Sequence, residues 1–139
     1  MELKKLTTNL MVEDVNKTIE FYEETLGFEF VMAVPKDSQE VLMEIPKDKP
    51  LIYAMMKRVN IEIMFQEKNS LSKDIPVFKD MTIGGSLTFY FEVENINALY
   101  TELKEKVAVV KELHTTFYGM QEFYVKDCNG YILGFAEKK

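Results

Sequence analysis

The chain holds one cysteine, Cys128, and one histidine, His114. A single thiol excludes an intrachain disulfide, and one thiol with one imidazole excludes a Cys/His zinc cage of the usual spacing. No apolar run approaches the roughly 18 residues of a membrane span. The opening MELKKLTTNL also lacks the apolar centre and small-residue cleavage site of a secretory signal. A cytoplasmic protein with no membrane partner is expected. Basic residues are scarce as well: 17 Lys and Arg against 23 Asp and Glu leave a net charge of -6. That sign repels a phosphate backbone, so no nucleic-acid partner is expected. There is no Gly-rich phosphate loop, no Ser/His/Asp order and no His-x-x-x-His spacing.

What the chain does have is apolar and aromatic material, 47% and 12% of its 139 residues. That suffices for a core without disulfides or a structural metal, in one domain or two very small ones. It also repeats itself. Val12-Glu13-Asp14-Val15-Asn16 returns 81 residues later as Val93-Glu94-Asn95-Ile96-Asn97, with three of five positions identical. Each copy follows a strand-like segment (6–12 and 87–93) and opens a helical stripe. In the first, Asp14 is the expected N-cap, Val15, Ile19, Tyr22 and Leu26 share a face, and Gly27 suits the left-handed residue after the helix. In the second, Asn95 is the expected cap, and Ile96, Leu99, Leu103 and Val107 form the stripe.

Three strand-like runs follow each helix, at 28–34, 51–57 and 60–66, then at 107–113, 120–125 and 131–136. Both halves thus read βαβββ. The expected organisation is one domain over 1–139, with module 1 at about 1–67, a linker at about 68–85 and module 2 at about 86–139. KDCNG at 126–130 is expected to make a tight hairpin turn through Asn129-Gly130. Residues 35–50 read as either an extra strand edge at 41–45 or a loop clasping a pocket.

Strand alternation sorts the faces. Leu87, Phe89, Phe91 and Val93 oppose Ser86, Thr88, Tyr90 and Glu92; Ile61, Ile63 and Phe65 oppose Asn60, Glu62, Met64 and Gln66; Leu6, Leu10 and Val12 oppose Thr7, Asn9 and Met11. Met11, Met64 and Tyr90 on the polar faces favour a cavity, because methionine and tyrosine make adaptable ligand surfaces. Alternation alone leaves a solvated sheet face open as the other reading.

Two βαβββ modules, the helix opening VEDVNKTIEFYEETLGF and the closing FYVKDCNGYILGFAE resemble the glyoxalase / bleomycin-resistance / extradiol-dioxygenase superfamily, the vicinal oxygen chelate (VOC) proteins. The resemblance implies an α+β fold, two modules forming curved mixed sheets around a cup-shaped cavity, and a homodimer. In the family's enzymes a divalent metal such as Zn, Ni, Fe or Mn sits in the cup and acts as a Lewis acid or activates dioxygen. Its ligand positions carry over to Thr7, Glu62, Thr88 and Gly134, of which only Glu62 is a credible ligand. The resemblance therefore implies a metal-independent small-molecule-binding protein, in the manner of bleomycin-resistance proteins, with no cofactor. The alternative is a metal-dependent lyase or dioxygenase with atypical ligands.

The expected cavity residues are Thr7, Asn9, Met11, Glu62, Met64, Thr88, Tyr90, Glu92, Tyr118 and Gly134. Glu62 and Glu92 would favour a cationic ligand, and the methionine and aromatic surface an aromatic one. Tyr118 stands where binding members of the family carry an aromatic residue over the ligand. Phe123 and Tyr124 alternate, so one of them is core. His114, with no patterned partner, reads as a surface residue, and Cys128, in a polar turn, as no nucleophile.

Overall fold

The computed structural model describes residues 1–139 and divides into two compact units, Met1–Met81 and Thr82–Lys139. The first runs β1 (Thr8–Val12), α1 (Val15–Leu26), β2 (Glu29–Pro35), β3 (Leu51–Arg58), β4 (Ile61–Glu67) and α2 (Lys68–Asp74). Its sheet has the order β1-β4-β3-β2, with β1 parallel to β4 and the other pairs antiparallel. The helix α1 starts where Asp14 Oδ1 accepts from the Lys17 N–H at 3.0 Å and stops at Gly27, whose φ of 68° suits a residue without Cβ. Val15, Ile19, Tyr22 and Leu26 are all buried, and the Tyr22 ring lies 4.9 Å from that of Phe65. Each large apolar side chain buried in this way stabilises the unit by about 2 kcal/mol.

The stretch expected as a linker is largely helical. The Glu67 carboxylate accepts from the Asn69 and Ser70 N–H groups and so caps α2, Leu71 is buried, and a 3-10 helix follows at Pro76–Asp80. The boundary between units therefore falls after Met81. The strand expected from residue 6 begins at Thr8, leaving Leu6 exposed. Of residues 35–50, Pro35 ends β2 and the rest form a loop joined to that strand by a single bridge, Ala33 to Leu42. Asn16 holds its far end, donating to Lys49 O and accepting from Leu51 N, both at 3.0 Å.

The second unit runs β5 (Thr88–Glu92), α3 (Ile96–Leu103), β6 (Val109–Thr115), β7 (Met120–Lys126) and β8 (Ile132–Lys138), in the sheet order β5-β8-β7-β6 with β5 parallel to β8. Phe91, Phe135, Phe123 and Tyr100 form an aromatic column from sheet to helix, with successive centroids 5.3, 5.1 and 5.0 Å apart. The expected Asn95 side-chain cap is absent. Asn95 is left-handed at φ 57°, and the Glu137 carboxylate from β8 caps α3 instead, accepting from the Asn95 and Ile96 N–H groups at 3.0 Å each. The helix also ends before Val107, where the Lys106 and Val107 N–H groups both return to Leu103 O. The β7–β8 turn is wider than a two-residue hairpin: Asp127 Oδ1 accepts from the N–H groups of Asn129 and Tyr131, each at 2.8 Å. No helix is long and apolar enough to cross a membrane.

Candidate functional site

In the second unit, alternation turns Phe123 and Val125 of β7 toward α3 and the core, so Glu122 and Tyr124 stand on the opposite, open face. The ladder sets Tyr90, Gly134, Tyr124 and Lys111 side by side at one level, and Glu92, Ala136, Glu122 and His114 at the next. Glu122 is the centre of this face. Only 2% exposed, it accepts hydrogen bonds from three phenols. Tyr90 and Tyr118 donate to Oε2, the latter at 2.8 Å, and Tyr124 donates to Oε1 at 3.2 Å.

Burial opposes the charge on Glu122, but the bonds from Tyr90, Tyr118 and Tyr124, aided by His114, outweigh it and hold the carboxyl below its usual range. In return, the hydrogen bond to Glu122 pushes the Tyr90 and Tyr118 phenols up, with burial adding to it. Burial, then the Glu122 charge, raises Tyr124. The cluster is therefore one buried anion among three protonated phenols. Tyr90 and Tyr118 remain 47% and 57% exposed, so solvent reaches their rings while their hydroxyls point to the buried oxygen.

Gly134 is what allows this arrangement. A Cβ at that position would meet Tyr124 Cε2 at 2.5 Å and Cδ2 at 2.9 Å, so the Tyr124 ring fills the space a side chain at 134 would need. Thr88, the other carried-over ligand position here, lies opposite Ile132 rather than Gly134. Glu92 is exposed on the strand that carries Tyr90.

The corresponding face of the first unit has other chemistry. Asn9, Met64, Met55 and Met32 lie at one level, and Met11, Gln66, Tyr53 and Val34 at the next. Asn9 donates to Gln66 Oε1 at 2.9 Å, and Gln66 donates to Ser70 Oγ at 3.0 Å and Asp74 Oδ2 at 2.7 Å. Asn9 Oδ1 is buried without a hydrogen-bond partner, and Met11 is buried. Thr7 precedes β1, and Glu62 pairs with Lys5. A separate cleft of about 490 Å³ lies at the start of α1, where the 35–50 loop contributes Lys36, Lys47 and Lys49 beside Asp48, Glu13 and Glu67. Its charges are mixed.

The donor set does not fit a divalent metal. Nowhere do three or more His, Cys, Asp or Glu side chains gather closely enough to hold an ion. Of the carried-over positions, Glu62 is taken by Lys5, Thr7 and Thr88 offer neutral hydroxyls, and Gly134 lies under a ring. His114 stands opposite Glu122 in the ladder, its Nδ1 2.7 Å from Glu112 O, and Cys128 is exposed in the β7–β8 turn. Of the expected residues, the second unit brings Tyr90, Tyr118 and Gly134 to one cluster. Glu122 and Tyr124, the other two members, were not among them. The signal was present in QEFYV, since the alternation that makes Phe123 core puts Glu122 and Tyr124 across from it.

The model of the Glyoxalase/Bleomycin resistance protein/Dioxygenase superfamily matches residues 6–135. Among solved structures, the chain is similar to a glyoxalase/bleomycin resistance protein/dioxygenase from Nocardioides, at 13% identity and TM-score 0.72 over 99% of this chain and 85% of that one. It is also similar to TioX from Micromonospora sp. ML1, at 11% identity and TM-score 0.69 over 98% and 99%. A glyoxalase-related enzyme from Clostridium phytofermentans aligns at 17% identity and TM-score 0.71 over 100% and 98%. At these identities the likeness is one of fold. No curated protein matches significantly.

Proposed function

The chain belongs to the Glyoxalase/Bleomycin resistance protein/Dioxygenase superfamily, and from that premise we propose that it binds a small molecule non-covalently, without a metal, on the open face of its second unit. One observation carries the reading: Glu122 is buried yet held as an anion by three phenols, two of which leave their rings open to solvent. A general base needs a pKa near the working pH and a lone pair free to take a proton. Glu122 is poorly suited on both counts, because its pKa is lowered and three of its roughly four acceptor directions are already used by phenols. What it offers is a fixed negative charge under exposed aromatic surface, which suits a cationic or aromatic ligand. The same reading takes the protein as a cytoplasmic homodimer that sequesters its ligand.

The test is a thermal-shift screen of protein purified without chelator, paired with elemental analysis. Stabilisation by cationic aromatic compounds, with no stoichiometric metal, is expected. Stabilisation by anionic metabolites alone, or one Ni, Zn, Fe or Mn per subunit, overturns the reading. A solution mass near 16 kDa at micromolar concentration contradicts the homodimer.

A further inference from the structure

The hydrogen bonds at Glu122 narrow the ligand further. An ionised carboxylate offers about four acceptor directions. Three are already used, two on Oε2 by Tyr90 and Tyr118 and one on Oε1 by Tyr124. A primary ammonium or a guanidinium arrives with three to five N–H donors and needs acceptors for each that it takes out of water. Glu122 itself has at most one left unless a phenol is displaced, and two of the residues that bond it, Tyr90 and Tyr118, are about half exposed. A fully alkylated ammonium has no N–H to satisfy. It is recognised through its charge and through contact with the negative faces of aromatic rings. Tyr90 and Tyr118 supply two such rings, 47% and 57% exposed, and Phe117, fully exposed, packs edge-on against Tyr118 with centroids 5.1 Å apart. The phenol bonds to an anion make the two tyrosine rings more electron-rich, and the exposed carboxylate of Glu92 stands on the same face.

We propose that the second unit selects quaternary and other fully N-alkylated ammonium groups over primary amines and guanidinium, with Glu122 as the buried counter-charge and Tyr90 and Tyr118 as the contact surface. Tyr124, lying over Gly134, is a positioning residue that holds the second carboxylate oxygen. This rests on the binding reading above and adds the ligand class to it.

The experiment titrates the full-length, metal-free protein with tetramethylammonium, methylammonium and guanidinium chlorides at matched ionic strength. Choline and its neutral carbon isostere 3,3-dimethylbutan-1-ol are added, with tyrosine ring resonances as the readout. Tetramethylammonium is expected to bind about tenfold more tightly than methylammonium, a difference of about 1.4 kcal/mol. Choline should bind and its isostere should not. Tyr118→Phe keeps the ring and releases one acceptor direction on Glu122, so the preference for tetramethylammonium should shrink toward unity. Tyr118→Leu should lose tetramethylammonium binding. Methylammonium or guanidinium binding as tightly as tetramethylammonium, or an isostere equal to choline, overturns the ligand class while leaving the binding reading in place. Failure of all five probes to move any tyrosine resonance overturns both.

Discussion

At one level of its sheet the first unit sets Asn9, Met64, Met55 and Met32 side by side; at the corresponding level the second sets Tyr90, Gly134, Tyr124 and Lys111. One level on, Tyr53 of the first unit stands where the second has Glu122. The strand order and the parallel outer pair are the same in both. What differs is a handful of open-face side chains, and they turn a thioether and amide surface into a phenol and carboxylate one. The fold supplies the register, and the chemistry comes from which residues occupy it.

The largest effect that would break the comparison is at Gly134, where the first unit carries the bulky Met64 on its equivalent strand. Gly134→Ala places a Cβ 2.5 Å from the Tyr124 ring, and overpacking of this kind is expected to cost about 2 kcal/mol in chemical denaturation. If Tyr124 is the cause, the loss shrinks in the Tyr124→Ala background, which a double-mutant cycle reads directly.

Next comes the capping of the helices. The helix α1 is capped locally by Asp14, whereas α3 depends on Glu137 from a strand far along the sequence. Glu137→Ala should cost about 1.5 kcal/mol and Asp14→Ala about 1 kcal/mol, because Glu137 satisfies two N–H groups and ties helix to sheet. Equal losses would mean that the sheet tie adds nothing.

The inner hairpins differ too. The β3–β4 turn places Val59, a β-branched residue, at φ 55°, while the β7–β8 turn has Gly130 at φ 90°. Val59 is 92% exposed, so nothing packs against its side chain to compensate. Val59→Gly is expected to stabilise the protein by about 1 kcal/mol, seen as a higher denaturation midpoint at unchanged slope.

The smallest effect is invisible at neutral pH. The native pKa values of Tyr90, Tyr118 and Tyr124 are raised above the ordinary 10.0. Their contribution is thus fully present below about pH 10 and is lost as pH rises through the raised values. Glu122, lowered from 4.5, works in the other sense: its contribution is present above that value and is lost as pH falls through the native one. In Glu122→Gln the Tyr90 and Tyr118 rings should titrate earlier and Tyr124 should move less, since burial is its first cause. Tyr53, raised by burial alone, should not move. Ring-resolved NMR between pH 9 and 12 checks this, and a shift at Tyr53 would mean that burial is not its only cause.

Much of this was legible in the residues. Asp14, the Val15/Ile19/Tyr22/Leu26 stripe and Gly27 specify α1 almost completely, because cap, stripe and terminator are all local. The eight strands followed from alternation and the repeat. The cap of α3 was not legible, since Ile96 meets Glu137 41 positions away. In α2 the stripe is too thin to see, Leu71 being its single buried apolar residue. The expected cavity residues included Tyr90, from alternation, and Tyr118 and Gly134, from the family resemblance, but not the carboxylate they surround. Glu122 gains its role from bonds with Tyr90 on another strand and Tyr118 in a turn, which only the assembled ladder brings to it.

The central claim is that the second face binds an alkylated ammonium without a metal and the first does not. The most direct measurement is residue-resolved NMR of the metal-free protein titrated with tetramethylammonium chloride. Saturable shifts confined to Tyr90, Tyr118, Glu122 and Tyr124, with Asn9, Met55, Met64 and Gln66 unmoved, are the predicted result. Shifts on the first unit's face, or none on the second, would contradict it.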